Sequence, residues 1–106
     1  MLSGCDLVRS EVSKYPDWDV NTMVAISQAE SHCRADAKGD TTLTFEQDGR
    51  IYGYSLSVLQ VRILPGRESC DTYDVSVIVE CAHNIWKYQG YHAWSVYSNG
   101  KYKEYL

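Results

Sequence analysis

Three stretches of the chain repeat apolar residues with the period of an α-helix. The first predicts a helix over about residues 6–15 that ends before Pro16, because a residue preceding proline resists helical geometry. The last predicts a helix over about residues 74–88, which Gly90 terminates. The broad apolar face of this last helix consists of Val75, Ile78, Val79, Ala82, Ile85 and Trp86.

The middle stretch carries a carboxylate on its apolar face. This helix is predicted to open at Asp19 or Asn21, both good N-caps, and to run through Cys33. Steps of three and four residues place on one face Val20, Met23, Ile26 and Glu30. Because charged side chains are rarely buried without a partner, Glu30 is the first candidate functional residue.

After Thr41 the pattern changes to an alternation of apolar and polar positions. The pair Asp48-Gly49 is a strong two-residue turn and predicts a small antiparallel hairpin over about residues 42–54. A short buried segment, a loop and a helical turn follow at residues 57–61, 64–68 and 93–97. The predicted fold class is therefore α+β, mostly helical, with one short hairpin inserted between the helices.

Length and charge exclude several function classes. The 106 residues fit one domain, over residues 1–106, which we expect to be a monomer. A net charge of −4 without a basic stripe argues against nucleic-acid binding, and no apolar run is long enough to span a membrane. Residues 1–4 lack the apolar core of a signal peptide, so we interpret them as the trimmed start of a mature domain.

The cysteines predict disulfides rather than a metal site. Cys5, Cys33, Cys70 and Cys81 form no CxxC pair, and the three histidines lie far apart in sequence. We therefore expect no metal and no cofactor, but two disulfides in an oxidising compartment, with the protein secreted or in the cell envelope. The sequence leaves all three possible pairings open.

Glu30 has the surroundings of a general acid. On a buried helix face its carboxyl group would lose hydration, which raises the pKa, and the nearby helix C-terminus acts in the same direction. An acid still protonated near neutral pH can donate its proton to the leaving oxygen of a glycosidic bond. The alternative is a surface glutamate without a catalytic role.

Four segments of the chain are similar to motifs of one known family. Residues 28–40, reading QAESHCRADAKGD, resemble a catalytic helix that ends in Glu-Ser, and SLSVLQVR at residues 55–62 looks like S-x-G-L-x-Q-I. Residues 74–90 look like the helix D-P-x-x-N-I-x-x-A-x-x-I, and WSVYSNG at residues 94–100 is similar to A-Y-N-A-G. In this order, over about residues 17–102, they resemble the lysozyme-like superfamily, most closely its soluble lytic transglycosylase and goose-type lysozyme branches.

This resemblance implies a small lysozyme-like fold whose hairpin flanks a cleft. It implies an enzyme that cleaves the MurNAc–GlcNAc β-1,4 bond of peptidoglycan glycan strands, with Glu30 as its general acid. The residues that it implies for substrate binding are Ser31, Tyr54, Ser55, Ser57, Gln60 and Tyr97. Three of these have structural alternatives: a hairpin cap for Gln60, a core position for Tyr97 and a turn hydroxyl for Ser55.

A second carboxylate would decide between two mechanisms. Asp40 is the best candidate for activating water, although Glu46 and Asp48 lie nearby in sequence. With Glu30 alone, the resemblance implies transglycosylation, in which the acid then acts as a base on the 6-hydroxyl of the substrate. With a second carboxylate, hydrolysis by water becomes possible.

The sequence departs from the family pattern at three positions. Ser57 replaces the cleft glycine, Ile78 replaces an asparagine and Val75 replaces a proline. A glycine at position 57 would allow a close backbone approach to the saccharide or a positive φ. A second hypothesis, a catalytically weakened module that binds cell-wall glycan or a partner protein, is favoured by Ser57, by Ile78 and by the lack of the hairpin aspartate of animal-type lysozymes, at whose position Ser55 stands. A third hypothesis is a disulfide-stabilised structural protein without cleft chemistry.

Overall fold

The computed structural model describes residues 3–106, in which four α-helices are combined with two small antiparallel sheets. The helices are α1 (Gly4–Val12), α2 (Val20–Ser31), α3 (Val75–Gln89) and α4 (Ser95–Ser98). Short 3₁₀ turns lie at Glu68–Cys70, Gly90–Ala93 and Lys101–Tyr105. The predicted α+β class is confirmed. The first two residues of the start that we interpreted as trimmed, Met1 and Leu2, lie outside the described residues.

The strands form two separate sheets. They are β1 (Lys38–Gly39), β2 (Phe45–Gln47), β3 (Arg50–Tyr52), β4 (Ser55–Leu56) and β5 (Val61–Arg62). The predicted hairpin is confirmed as β2 and β3, joined by Asp48 and Gly49, which both have positive φ. The other sheet has three strands in the order β1-β4-β5. The expectation of a single hairpin was therefore wrong. Its strands have two residues each, too few to show an alternating pattern.

The first helix lies closer to the N-terminus than predicted. It begins at Gly4, because Ser3 Oγ accepts a hydrogen bond from Asp6 N and acts as the N-cap. It ends at Val12, and the predicted continuation through residue 15 is only a pair of turns. The predicted span of residues 6–15 is therefore wrong at both ends.

The second helix begins where predicted and ends earlier. The Asp19 carboxylate accepts a hydrogen bond of 2.9 Å from Thr22 N, so Asp19 is the N-cap. The helix ends at Ser31 rather than Cys33, because His32 and Cys33 have φ of 53° and 59°, in the left-handed region. In this geometry His32 N and Cys33 N donate hydrogen bonds to the carbonyl oxygens of Gln28 and Ser27, and the chain turns toward β1.

The third helix confirms its prediction to within one residue at each end. Asp74 Oδ1 accepts a hydrogen bond of 3.2 Å from Val77 N, and Gly90, with φ 64°, follows the last helical residue. The predicted turn near residues 93–97 is divided between the 3₁₀ turn Gly90–Ala93 and α4.

Helices and the β1-β4-β5 sheet enclose one hydrophobic core. Its fully buried side chains include Val8, Val12, Met23, Ile26, Leu59, Ile63, Ile78 and Val79. Trp94 Nε1 donates a hydrogen bond of 2.8 Å to the Leu59 carbonyl oxygen, which fixes the segment before α4 to the turn between β4 and β5. No helix within residues 3–106 has both the length and the apolar character required to cross a lipid bilayer.

The four cysteines form two disulfides, as predicted. Cys5 pairs with Cys33, with Cα atoms 5.1 Å apart, and joins the first turn of α1 to the end of α2. Cys70 pairs with Cys81, with Cα atoms 6.2 Å apart, and joins the 3₁₀ turn Glu68–Cys70 to α3. Two disulfides indicate an oxidising compartment.

Candidate active site

The end of α2 is attached to the turn between β4 and β5 by two serines. Ser27 Oγ and Ser31 Oγ lie one helical turn apart, and each donates a hydrogen bond of 2.7 Å to the Val58 carbonyl oxygen. All three residues are buried, so the bonds form away from water. They hold Glu30, the residue before Ser31, in a fixed position relative to the sheet. The Ser31 hydroxyl, predicted to bind substrate, is therefore engaged inside the protein.

The Glu30 carboxyl has a strongly raised pKa. Burial, which removes water from the charged form, is the largest cause and raises the pKa from 4.5 to about 7 together with the charge of Asp40. Lys101, in the 3₁₀ turn near the C-terminus, acts in the opposite direction. Near neutral pH, Glu30 is therefore present in both its protonated and its ionised form.

Asp40 lies close enough to Glu30 for its charge to disfavour ionisation of that acid. It follows β1 directly, and its Oδ2 accepts a hydrogen bond from the Ser55 hydroxyl on the neighbouring strand β4. Ser55 is buried, whereas Asp40 is exposed. The carboxylates of Glu46 and Asp48 lie on the β2–β3 hairpin and do not contribute to the pKa of Glu30.

The turn of residues 57–60 is strained at both ends. Ser57 has φ of 67° and Gln60 has φ of 47°, both in the left-handed region that disfavours residues with a Cβ. Ser57 is completely buried, and its hydroxyl has no hydrogen-bond partner among residues 3–106. The lysozyme-like pattern has glycine at this position, and glycine adopts such a φ without strain. Because the Ser57 side chain is buried, it does not project into a surface groove.

Replacing Ser57 with glycine is expected to increase the free energy of unfolding by about 1 kcal/mol. The change removes left-handed strain and an unpaired buried hydroxyl, which together outweigh the extra chain entropy of glycine. Urea unfolding would measure the effect. Ser57→Ala is the matched control, because it removes the hydroxyl and keeps the strain, so it should gain less than Ser57→Gly. A lower stability for the glycine variant would contradict this account.

The Gln60 side chain fixes the same turn. Its Nε2 donates hydrogen bonds to Ser57 O at 2.9 Å and to Ala37 O at 3.3 Å. Its Oε1 packs directly on Gly39 of β1, where a Cβ would overlap it. Gln60, predicted to bind substrate, therefore joins the turn to β1 and still borders a small cavity with its exposed part.

Tyr54, predicted to bind substrate, belongs to a polar network. Its hydroxyl donates a hydrogen bond of 2.8 Å to Asp71 Oδ2, which also forms an ion pair of 2.9 Å with Arg50. Lys38 Nζ lies 4.4 Å from the centre of the Tyr54 ring. The ring is therefore held from its edge and from one face.

Tyr97 lies in a stack of three tyrosine rings. Its ring centre is 5.0 Å from that of Tyr91 and 4.8 Å from that of Tyr102, with nearly parallel planes. The Tyr91 hydroxyl in turn accepts a hydrogen bond from Asp19 N at the start of α2. Tyr97 is half-buried, so it supports the contact between α4 and α2 and retains an exposed part.

Two adjoining cavities form a groove along α3, which we call the α3 groove. The smaller cavity, of about 220 Å³, borders Gln60 and Trp94, and the larger, of about 550 Å³, borders the Cys70–Cys81 disulfide. Both are lined by Arg67, Ile85 and Gln89. Glu30 lines neither cavity, so the groove begins beside the turn of residues 57–60 rather than at the acid itself.

No protein-family model matches this chain, and no curated protein matches it significantly. Within residues 3–106 no three His, Cys, Asp or Glu side chains are grouped so that they could hold a metal ion.

The structure brings together part of the predicted site. Glu30, Asp40 and Ser55 are neighbours, whereas Ser31, Ser57 and Gln60 form the support beneath them. Lys101 was not identified from the sequence as part of the site. A charge pattern alone cannot assign it, because its proximity to Glu30 depends on how the C-terminal turn folds back onto α2. The α3 groove was also missed, because its lining comes from separate segments.

Proposed function

We propose that this protein cleaves the β-1,4 bond between MurNAc and GlcNAc in peptidoglycan, with Glu30 as the general acid. The observation that carries the proposal is a half-buried carboxyl group with a pKa of about 7 beside a second, hydrogen-bonded carboxylate. Paired carboxyl groups with different environments are the usual catalytic set of glycosidases. The resemblance to lysozyme-like motifs supports the same assignment. We further propose that the protein acts as a secreted or cell-envelope monomer.

In the first step Glu30 protonates the bridging oxygen of the glycosidic bond. The bond between this oxygen and C1 of MurNAc breaks, the departing GlcNAc takes the proton as its 4-hydroxyl, and positive charge develops on the MurNAc ring. Asp40 keeps Glu30 protonated before this step and, as an anion, stabilises the charge that forms.

The second step has two balanced outcomes. In transglycosylation, ionised Glu30 removes the proton of the MurNAc 6-hydroxyl, and O6 attacks C1 to form a 1,6-anhydro ring. In hydrolysis, Asp40 removes a proton from water, and the resulting hydroxide attacks C1 to form a reducing end. The exposed position of Asp40 gives water access to its carboxylate.

The products distinguish these outcomes. Oxidised protein is incubated with purified peptidoglycan, and the soluble fragments are analysed by mass spectrometry with Glu30→Gln as the control. Anhydro ends identify a lytic transglycosylase, and reducing ends with one added water identify a lysozyme-type hydrolase. The absence of Glu30-dependent fragments would refute the proposed activity.

The pH profile of cleavage provides a further prediction. Since the reaction needs protonated Glu30, kcat/KM should fall about tenfold per pH unit above the pKa of about 7. Asp40→Asn removes a charge that raises this pKa, so the fall should begin at lower pH in that variant. The measurement is the initial rate of fragment release between pH 5 and pH 9, with intervals of about 0.5 unit. An unchanged fall at high pH in Asp40→Asn would show that the two groups are not coupled.

A second candidate is a module that binds cell-wall glycan without cleaving it. The observation in its favour is that Ser57, with a left-handed φ and a buried, unpaired hydroxyl, stands where the lysozyme-like pattern has glycine. This candidate predicts binding of chitooligosaccharides without products, even after long incubation. Cleavage that depends on Glu30 would exclude it.

A further inference from the structure

The larger cavity of the α3 groove has a mixed chemical lining. Its floor is apolar and includes Val77, Ile85 and the Cys70–Cys81 disulfide. Its polar lining provides a guanidinium, a carboxylate and an amide from Arg67, Glu80 and Asn84. At about 550 Å³ the cavity has the size of a typical ligand site.

The two charged side chains of the larger cavity have no ionic partner within residues 3–106. The ion pairs of that part of the chain involve neither Arg67 nor Glu80. Arg67 is held in place, because its Nη1 donates a hydrogen bond of 3.1 Å to the Arg62 carbonyl oxygen. The remaining donors of its guanidinium are available to a bound carboxylate.

We propose that the α3 groove binds the peptide stem carried by MurNAc, an inference that rests on the proposed function. A stem peptide has carboxylates, the free amine of a diamino acid, and alanine methyl groups. These match Arg67, Glu80 and the apolar floor respectively, whereas a strand without peptides offers only the lactyl carboxylate of MurNAc and neither an amine nor alanine methyl groups. The groove begins at Gln60 and Trp94, beside the turn that supports the acid pair, so a stem extending from a bound MurNAc enters it there.

The substrate is therefore a peptide-bearing glycan strand rather than chitin or a strand without peptides. The groove adds binding energy only when a stem is present. This contribution is measured by dividing kcat/KM for peptide-bearing strands by kcat/KM for strands stripped of peptides by an amidase. We expect this ratio to be about ten or more in the unmodified protein.

Asn84→Trp tests the assignment, because an indole at this exposed position of α3 would fill the groove. The ratio of kcat/KM between the two substrates should fall by about tenfold. Lys87→Trp is the matched control, since Lys87 is also exposed on α3 and lines neither cavity of the groove. Equal effects of Asn84→Trp on the two substrates would overturn the inference.

Glu80→Gln tests the charge match by itself. It should weaken cleavage of strands whose stems carry a free amine and leave strands with N-acetylated stems less affected. An equal effect on both kinds of stem would remove the role assigned to Glu80 and, with it, the argument for a peptide.

Binding measured in a Glu30→Gln background separates this inference from the proposed activity. If peptide-bearing strands bind more tightly than stripped ones and Asn84→Trp removes the difference, the groove holds the stem even if no cleavage occurs. If the unmodified protein cleaves both substrates equally well in a Glu30-dependent reaction, the inference fails and the proposed function stands.

Discussion

Replacing Glu30 with glutamine is expected to lower kcat for peptidoglycan cleavage by about 10²- to 10⁴-fold, the usual contribution of a general acid. The amide has nearly the shape of the carboxyl group but cannot donate a proton to the leaving oxygen at any pH. Substrate binding should survive, because the groove and the turn beneath the site are unchanged. Initial rates of fragment release, measured against the binding affinity for the same strands, would check both statements.

The same variant should be more stable than the unmodified protein above neutral pH. The pKa of Glu30 is raised in the folded state from 4.5 to about 7, so the folded protein binds more protons between these values and loses stability as pH rises through them. Glutamine does not titrate, so the free energy of unfolding of the variant should exceed that of the unmodified protein by about 1–3 kcal/mol at pH 8 and equal it at pH 4. This range is reduced to allow for the partial exposure of the carboxyl group. Urea unfolding at both pH values would measure it. Equal free energies of unfolding for Glu30→Gln and the unmodified protein at pH 8 would mean that the Glu30 carboxyl is solvated in the folded state.

Removing the Cys5–Cys33 disulfide by a double alanine substitution is expected to lower the free energy of unfolding by about 3–4 kcal/mol, mainly because the unfolded chain gains conformational entropy. The bridge closes 28 residues, against 11 for Cys70–Cys81. Loop-closure entropy therefore predicts that removing the shorter bridge costs about 0.8 kcal/mol less. Thermal and urea unfolding of the two double variants would compare them.

The longer bridge should also affect catalysis at high temperature. Cys33 follows the last turn of α2, three residues after Glu30, and the bridge holds that turn against α1. Without it, fragment release should be lost at a lower temperature than in the variant that lacks Cys70–Cys81. The same temperature for both variants would mean that the end of α2 is held by other contacts.

The sequence was sufficient where local chemistry determines structure. Side-chain caps at Asp19 and Asp74 determine where α2 and α3 begin, and Asp48-Gly49 determines a hairpin turn. Each of these features depends on residues within a few positions, so it can be predicted without knowledge of the tertiary fold. The position of Glu30 on a partly buried helix face follows from the same periodicity.

The features that sequence reasoning missed depend on distant contacts. The sheet β1-β4-β5 has strands of two residues, whose pairing is decided by the core rather than by propensity. The early end of α2 arises from the left-handed φ of His32 and Cys33, which the pattern of apolar positions does not show. In the site, the hydrogen bond between Ser55 and Asp40 depends on that same sheet. From the sequence alone, Asp40 was therefore one of three candidates for the second carboxylate.

The anchoring of the turn between β4 and β5 has a consequence for sequence variation. The acceptors at Val58 and Leu59 are main-chain carbonyl oxygens, which every amino acid provides, whereas the donors are the side chains of Ser27, Ser31 and Trp94. In related chains, residues 58 and 59 should therefore drift freely among apolar types. The two serines and the tryptophan should instead be retained or lost together, so their joint presence would mark chains that keep the acid at the same distance from the sheet.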